Sequence, residues 1–366
     1  MSLINKIDKN LEMQPGKAGI LRLVLAAYGL DGDAHKAQPF GTGLINHTWK
    51  VQALDKQFIL QRVNDAVFRN PADIADNIAL IAEYFNNHFP AYNFVGPVKT
   101  RDGNGLINID GAGYFRMFPL VPGSHSKVVV ATPQQAFEAA TQFGRFTRLL
   151  SDFDVDTLKT TLPSFHDLSL RYQQFVYALV NGNKKRIAET SELSKTLSSF
   201  ADIVTEYESI KKNNTFKKRV THHDTKISNV LFNDAEKAIC VIDMDTVMPG
   251  WFISDVGDMM RTYVSPVSEE ETDLTKIDVR DEFYHAIVDG YYNEMKYEMS
   301  KTEKRYFFYA AEFMIYMQAI RFLTDYINDD VYYKAKYEKQ NFFRAVNQTH
   351  LLQKLIAKKD RLSKLI

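Results

Sequence analysis

Near Phe118 the spacing of apolar residues changes from every second position to the helical period of about 3.6. That change constrains the fold more than any single motif. Residues 11–29 are an expected opening helix, with Ile20, Leu21, Val24, Leu25 and Tyr28 on one face and Gly29 as its stop. FGTGLINHTWKVQA and QFILQRVN then alternate like two strands joined by a short turn around Asp55. NPADIADNIALIAEYFNNHF sets Ile74, Ile78, Ile81 and Phe85 on one helical face, with Asn70 and Pro71 as cap and first turn. FVGPVKT and LINIDGAGYFRMFPL read as a second hairpin turning at Asp102-Gly103 and Asp110-Gly111. Beyond VPGS the chain reads as helices, interrupted by NVLFND and AICVID, two short strands around a polar turn. The expected fold is α+β: a small antiparallel sheet with one inserted helix over residues 1–118, then a larger, mainly helical part over 119–366. No internal repeat or low-complexity segment is present.

At 366 residues the chain is long enough for two lobes, each with its own core. Its 45 basic and 45 acidic residues balance, which argues against nucleic acid or an anionic membrane as partner and in favour of a small molecule. The nearest basic cluster, Lys211, Lys212, Lys217, Lys218 and Arg219, reads as a solvated loop. A lone cysteine, Cys240 in the apolar run AICVI, excludes an internal disulfide framework and reads as inert core. No apolar run approaches the roughly 20 residues that cross a bilayer, and MSLINKIDKNLEMQPGKAG lacks the apolar stretch of a signal peptide. A cytoplasmic location is expected; oligomeric state is not legible.

The chemistry concentrates in THHDTKISNVLFNDAEKAICVIDMD. His222, Asp224 and Asn229 precede one strand, and Asp243 and Asp245 follow the next. Paired as a hairpin, the two strands bring Asn229 and Asp243 over one spot. A carboxylate and an amide oxygen are hard ligands suited to Mg²⁺ beside nucleotide phosphates, and Asp224 can then orient an acceptor hydroxyl and take its proton. The order and approximate spacing are those of the kinase catalytic loop followed by its metal-binding aspartate. The ordinary alternative is a polar loop whose Asp and Asn residues cap turns.

Upstream, Gly41, Thr42 and Gly43 lie between strands, where glycines let backbone N–H groups approach phosphates. Asn46 stands where a third glycine is usual, and a plain hairpin bend is the competing reading. The next strand must supply a cation for the phosphates and offers Arg62, or Gln61 in the other register. Arg62 is favoured because the task needs positive charge. Asp76 or Glu83 on the following helix is its expected acid partner, although both suit a solvated helix face.

These residues together resemble the aminoglycoside phosphotransferase and choline kinase superfamily of protein-kinase-like small-molecule kinases. FGTGLINHTW, FILQRVN, LPSFHDLSLRY, HHDTKISNVLF, VIDMDTVMPG and RFLTDYI are most similar to segments of its N-acetylhexosamine 1-kinases, in order over nearly the whole chain. The resemblance implies a bilobal kinase fold, with ATP held against residues 116–121, Arg116 and Phe118 among them. It implies Mg²⁺ on Asn229 and Asp243, and Asp224 as base. It further implies an N-acetylglucosamine or N-acetylgalactosamine acceptor phosphorylated at its anomeric hydroxyl. Asp245 matches an acidic position toward metal, phosphate or acceptor, and Asp255 one that braces the catalytic loop.

Among late residues Arg321 stands in the apolar company of MIYMQAIRFLTDYI, so it needs a partner, either the substrate or Asp325 one turn on. His47, Tyr332 and Tyr333 are further acceptor candidates, since sugars stack on aromatic faces. His166 and Asp167 read as helix-start and packing groups, with substrate contact as the alternative, and His222 as a brace for the loop. The rivals are a kinase of the same fold for choline, homoserine, methylthioribose or an aminoglycoside, and a nucleotide-binding pseudokinase.

Overall fold

The alternating segments within residues 47–62 and 107–119 pair into one antiparallel sheet, to which Lys36–Pro39 adds an edge strand. The computed structural model describes residues 15–30, 36–41, 45–53 and 56–364, so Thr42, Gly43 and the turn residue Asp55 lie outside the described residues. The chain divides into two units, one running to Pro90 and resuming over Phe94–Pro122, the other holding Ala91–Asn93 and everything from Gly123.

In the first unit, α1 (Pro15–Ala27) precedes β1 (Lys36–Pro39), β2 (His47–Ala53), β3 (Lys56–Arg62), α2 (Pro71–His88), β4 (Ile107–Ile109) and β5 (Gly113–Pro119), with sheet order β1-β2-β3-β5-β4. Gly29 ends α1 with φ +75°, the left-handed conformation a helix stop takes. Val24 and Leu25 of α1 and Tyr28 just after it pack on Val51, Leu60, Phe115 and Met117, so the inward side chains of β2, β3 and β5 make this core. The expected face of α2 is buried, with Phe85 stacked on Phe94 at 5.1 Å. One expectation fails: FVGPVKT is no strand and contributes a single bridge, Val98 to Met117. Pro97 has no N–H to give a ladder, and the hairpin is β4 with β5 around Gly111 at φ +71°.

The second unit carries β6 (Ser124–Ser126), α3 (Pro133–Leu149), α4 (Leu168–Asn181), α5 (Lys184–Glu189), α6 (Ser191–Ser198) and α7 (Asp202–Lys212). After these come β7 (Arg219–Thr221), β8 (Val230–Asn233), β9 (Ala238–Val241), β10 (Met248–Gly250), α8 (Phe252–Tyr263), α9 (Asp281–Met295), α10 (Phe307–Ile327), α11 (Gln340–Ala357) and α12 (Lys359–Leu362). The fold is thus mixed α+β, a small antiparallel sheet followed by a mainly helical part. Strands β8 and β9 form the expected hairpin; β6 pairs with β8, and β7 with β10. Both additions were too short to read from alternation.

Of the 21 residues of α10, 19 are buried, all but Arg321 and Thr324, as expected of a helix apolar on every side. The basic cluster is corrected at Arg219, which is 6% exposed and gives both terminal nitrogens to the fully buried Glu303, at 2.6 and 2.9 Å. That pair anchors β7, the strand that enters the Asp224 loop. No helix among the described residues is long and apolar enough to cross a membrane.

Helix α8 approaches α10 at Gly257, where a Cβ would meet the Ala310 carbonyl oxygen at 2.4 Å. Gly257→Ala is therefore expected to lose about 1–3 kcal/mol of stability, seen as a fall of several degrees in Tm. Gly19→Ala, which meets nothing within 4 Å, is the control; equal melting of the two variants would show that the helices separate at no cost.

Candidate active site

The loop between β7 and β8 is shaped by α8. Asp255, in the first turn of that helix, accepts the backbone N–H of His222 at 3.0 Å and of His223 at 2.7 Å, one on each carboxylate oxygen. Three residues on, Asp258 accepts Thr225 N–H at 2.8 Å, and Thr225 Oγ donates to the Asp255 carbonyl at 2.8 Å. Tyr263 donates to the Thr225 carbonyl. Asp224 is therefore flanked on both sides by backbone fixed to one helix. Asp255 thus braces the catalytic loop, as the resemblance implied, whereas Asp258, three residues on along the same helix, went unread.

Two buried histidines complete the frame. His222 Nε2 donates to the Ile242 carbonyl at 3.0 Å, and Nδ1 accepts the Asp224 N–H at 3.3 Å, which sets its neutral tautomer. Burial holds its pKa below the ordinary value. His223 takes φ +65° and gives Nδ1–H to the Thr221 and Thr246 carbonyls at 3.0 and 3.2 Å. Burial lowers its pKa to about 4 and pushes the Asp255 carboxyl up to about 7, against the pull of the two amide bonds.

Asp224 Oδ2 accepts from Lys226 Nζ at 2.7 Å and from Asn229 Nδ2 at 3.0 Å. Its Oδ1 makes no hydrogen bond among the described residues, and the side chain is 28% exposed. Asn229 also donates to the Asp224 carbonyl at 2.8 Å, so its amide oxygen is the atom turned away from Asp224. Across the hairpin, Ile242 N–H bonds the Asn229 carbonyl at 2.9 Å, bringing Asp243 beside Asn229. Asp243 takes φ +67°, a left-handed conformation rare outside glycine and concentrated at functional sites. Burial disfavours the charge on Lys226, but Asp224 and Asp243 outweigh it and raise its pKa. Lys226 was missed in the sequence, although a cation two residues after the loop aspartate was a readable signal.

Asp245 is 3% exposed and its carbonyl accepts from Thr161. No group of three or more His, Cys, Asp or Glu with metal-site geometry occurs among the described residues. A divalent ion on Asn229 and Asp243 needs no such group, since Mg²⁺ keeps several waters, and two hard oxygens at the end of one hairpin fit it.

On another side of the loop, the His166 ring lies 5.4 Å from that of His223 and stacks on Phe165 at 4.4 Å. Asp167 caps α4 through Leu170 N–H, the helix-start role expected of it. The Arg321 guanidinium stands 5.9 Å from the Phe165 ring centre, 5.7 Å from Tyr332 and 5.4 Å from Tyr333. Asp325 is not its partner; the Asp325 oxygens take the N–H groups of Tyr332 and Tyr333 at 2.7 and 2.8 Å. Arg171 lies near enough for Arg321 to help burial lower its pKa. Arg171 Nε and His166 Nδ1 are buried with no hydrogen-bond partner among the described residues.

In the first unit, Arg62 shares a sheet face with Leu60 and gives Nε–H to the Ala112 carbonyl at 2.6 Å. Gln61, on the opposite face, accepts from Arg116 at 3.0 and 2.9 Å, and Arg116 sits 5.2 Å from the Phe118 ring centre. The buried guanidinium on the Gln61 face thus comes from β5. Asp76 and Glu83 are exposed on α2. Asn46 accepts Asn64 N–H at 3.0 Å, and His47 starts β2 opposite Arg62.

The model of the APH phosphotransferase enzyme family matches residues 36–296, well over half of the chain. The chain belongs to this family. The fold of this phosphotransferase is similar to that of an aminoglycoside phosphotransferase from Alicyclobacillus acidocaldarius, at TM-score 0.62 and 12% identity over 93% of this chain and 96% of that one. It is similar also to an amicoumacin kinase in complex with AMP-PNP, Ca²⁺ and Ami, at 0.64 and 15% over 92% and 93%. A microcompartment-associated aminopropanol kinase matches at 0.58 and 16% over 94% and 98%. The chain is therefore a small-molecule phosphotransferase by family.

His223 stays neutral in the folded protein down to about pH 4, whereas an unfolded histidine takes up a proton near 6.5. Below 6.5 the unfolded state binds the extra proton, so the His223 contribution is present above 6.5 and is lost as pH falls toward 4. Wild type should lose up to about 3 kcal/mol relative to His223→Gln across that window. Asp255 is common to both proteins and cancels. Chemical denaturation at pH 7 and pH 4.5 reads the difference, and parallel losses in the two proteins would mean that His223 is not a buried neutral group.

Proposed function

We propose that this phosphotransferase moves the γ-phosphoryl group of ATP to the anomeric hydroxyl of an N-acetylhexosamine, giving a sugar 1-phosphate. The observation that carries the chemistry is the state of Asp224: Oδ2 is held by Lys226 and Asn229, and Oδ1 is left for an acceptor hydroxyl. Asp224 orients that hydroxyl and takes its proton as the hydroxyl oxygen bonds to the γ-phosphorus and the bond to ADP breaks. Lys226 adds a positive charge beside the developing phosphate charge. Asn229 and Asp243 are the residues assigned to Mg²⁺, which when bound neutralises charge on the nucleotide phosphates. Gly41, Thr42, Gly43, Asn46, Arg116 and Phe118 are assigned to the nucleotide, with Arg62 or Gln61. Asp245, His47, Arg321 and Tyr332 are assigned to the acceptor side.

The acceptor class is argued from charge. Several relatives are named for amine-bearing acceptors, such as aminopropanol, choline and ethanolamine. A cationic acceptor needs carboxylates and aromatic faces around its ammonium group. Beside the Asp224 loop the aromatic faces are present, and set among them are the guanidiniums of Arg321 and Arg171, next to a His166 that burial keeps neutral. Like charge repels an amine there, whereas the hydroxyl and acyl oxygens of a sugar accept hydrogen bonds from guanidinium and its ring face stacks on tyrosine. Together with the resemblance over HHDTKISNVLF and RFLTDYI, this favours a neutral amino sugar. The pseudokinase alternative calls for loss of a catalytic group, and Asp224, Asn229 and Asp243 are all in place.

ADP release from ATP and Mg²⁺ with a panel of sugars and amines, followed by phosphorus NMR of the product, tests the acceptor. An anomeric phosphate on an N-acetylhexosamine is expected; turnover with choline or aminopropanol alone would discard the sugar and keep the kinase. Asp224→Asn is expected to lower kcat by about 10²–10⁴-fold with little change in ATP affinity. Near wild-type turnover in that variant would remove Asp224 from the mechanism.

A further inference from the structure

The Asp224 loop and the segment bearing Tyr332 and Tyr333 are joined by a continuous run of buried and half-buried charges. It begins at Thr225, whose N–H is held by Asp258. Arg261 donates to the other Asp258 oxygen at 3.2 Å and to Glu269 Oε2 at 2.7 Å. Arg344 donates to Glu269 Oε1, and to Asn341 Oδ1 at 3.1 Å. Asn341 then donates to Asp325 at 3.1 Å, and Asp325 holds the N–H groups of Tyr332 and Tyr333. Arg344 also stands 3.7 Å from the Phe322 ring centre and 5.2 Å from that of Tyr333, so its position is shared with the aromatic wall itself.

Glu269 is the midpoint of this run and the one place where it depends on a single side chain outside a helix. Its two oxygens are divided between two arginines, one on α8 with the catalytic loop and one on α11 with the tyrosine segment. The stretch that carries Glu269 is pinned independently, because Asn347 of α11 donates to the Ser268 and Glu271 carbonyls at 3.1 and 2.9 Å. Asp258 is spent on Thr225 and Arg261, and on the α11 side Gln340 also donates to the neighbouring Glu270 at 2.8 Å, so it is the α8 half of the bridge that rests on Glu269.

We propose that Glu269 is a positioning residue that, with Arg261 and Arg344, sets the separation between the Tyr332–Tyr333 wall and Asp224, and so the alignment of the acceptor. This rests on the assignment of Asp224 as base and of the tyrosine segment to the acceptor side. Glutamine keeps the shape of Glu269 but has one oxygen, and its NH₂ faces a guanidinium that can only donate. One half of the bridge opens while the local packing stays.

Glu269→Gln is expected to raise KM for the acceptor about tenfold and lower kcat about tenfold, since misplacement by about 1 Å costs up to 10²-fold, while KM for ATP stays within about twofold. Arg344→Lys should keep one donor and fall between wild type and Arg344→Met, which serves should Glu269→Gln not fold. Equal changes in both KM values, or full activity in Glu269→Gln and Arg344→Met, would overturn the proposal. Loss of activity in Asp224→Asn alongside a wild-type Glu269→Gln would reject Glu269 alone; near wild-type Asp224→Asn would reject the assignment beneath it.

Discussion

Both oxygens of Asp255 accept backbone N–H groups from consecutive residues, and much of the second unit is arranged around that contact. His223 takes a left-handed conformation, which costs about 1–2 kcal/mol in a residue with a side chain, and the two bonds to Asp255 offset it. The strained residue stands directly before Asp224 in the loop that the helix holds. Gly257 lets α8 approach α10 closely, so the residue that permits the packing is two positions from the residue that aims the loop.

Around this contact polar groups are buried in matched sets. His222 and His223 stay neutral because burial opposes their charge, and each directs its donating nitrogen at a carbonyl. Arg219 and Glu303, buried together, fix the strand that leads into the loop. Buried ion pairs of this kind add little net stability, but opening one leaves an uncompensated charge. They define one arrangement of the loop at the expense of alternatives. The charges left less fully matched, on Arg321, Arg171 and the outward oxygen of Asp224, lie on the side assigned to the acceptor.

At α2 and at the β8–β9 hairpin, the local preference read from the sequence agrees with the structure. Ile74, Ile78, Ile81 and Phe85 share the buried face of α2, and β8 and β9 pair so that Asn229 and Asp243 meet. FVGPVKT alternated well enough to read as a strand, but Pro97 removed the donor that pairing needs. Arg219 read as one more solvated cation because its partner Glu303 lies 84 residues away. Arg321 stood out in the sequence by its apolar surroundings. The choice between substrate and Asp325 was not legible, because Asp325 is occupied by backbone N–H groups that no spacing reveals.

The sequence by itself determined the pairing of β2 with β3 and of β8 with β9, the helix α2 and the order of Asp224, Asn229 and Asp243, since these follow from side-chain period and from residues adjacent along one hairpin. Tertiary structure decided what lies around them: which helix holds the loop, which strand brings a guanidinium to the Gln61 face, and which charges gather around Tyr332 and Tyr333. Those outcomes depend on contacts between residues tens to more than a hundred positions apart. Their energies come from burial and from completing hydrogen bonds away from water, and neither is encoded in the local pattern of the chain.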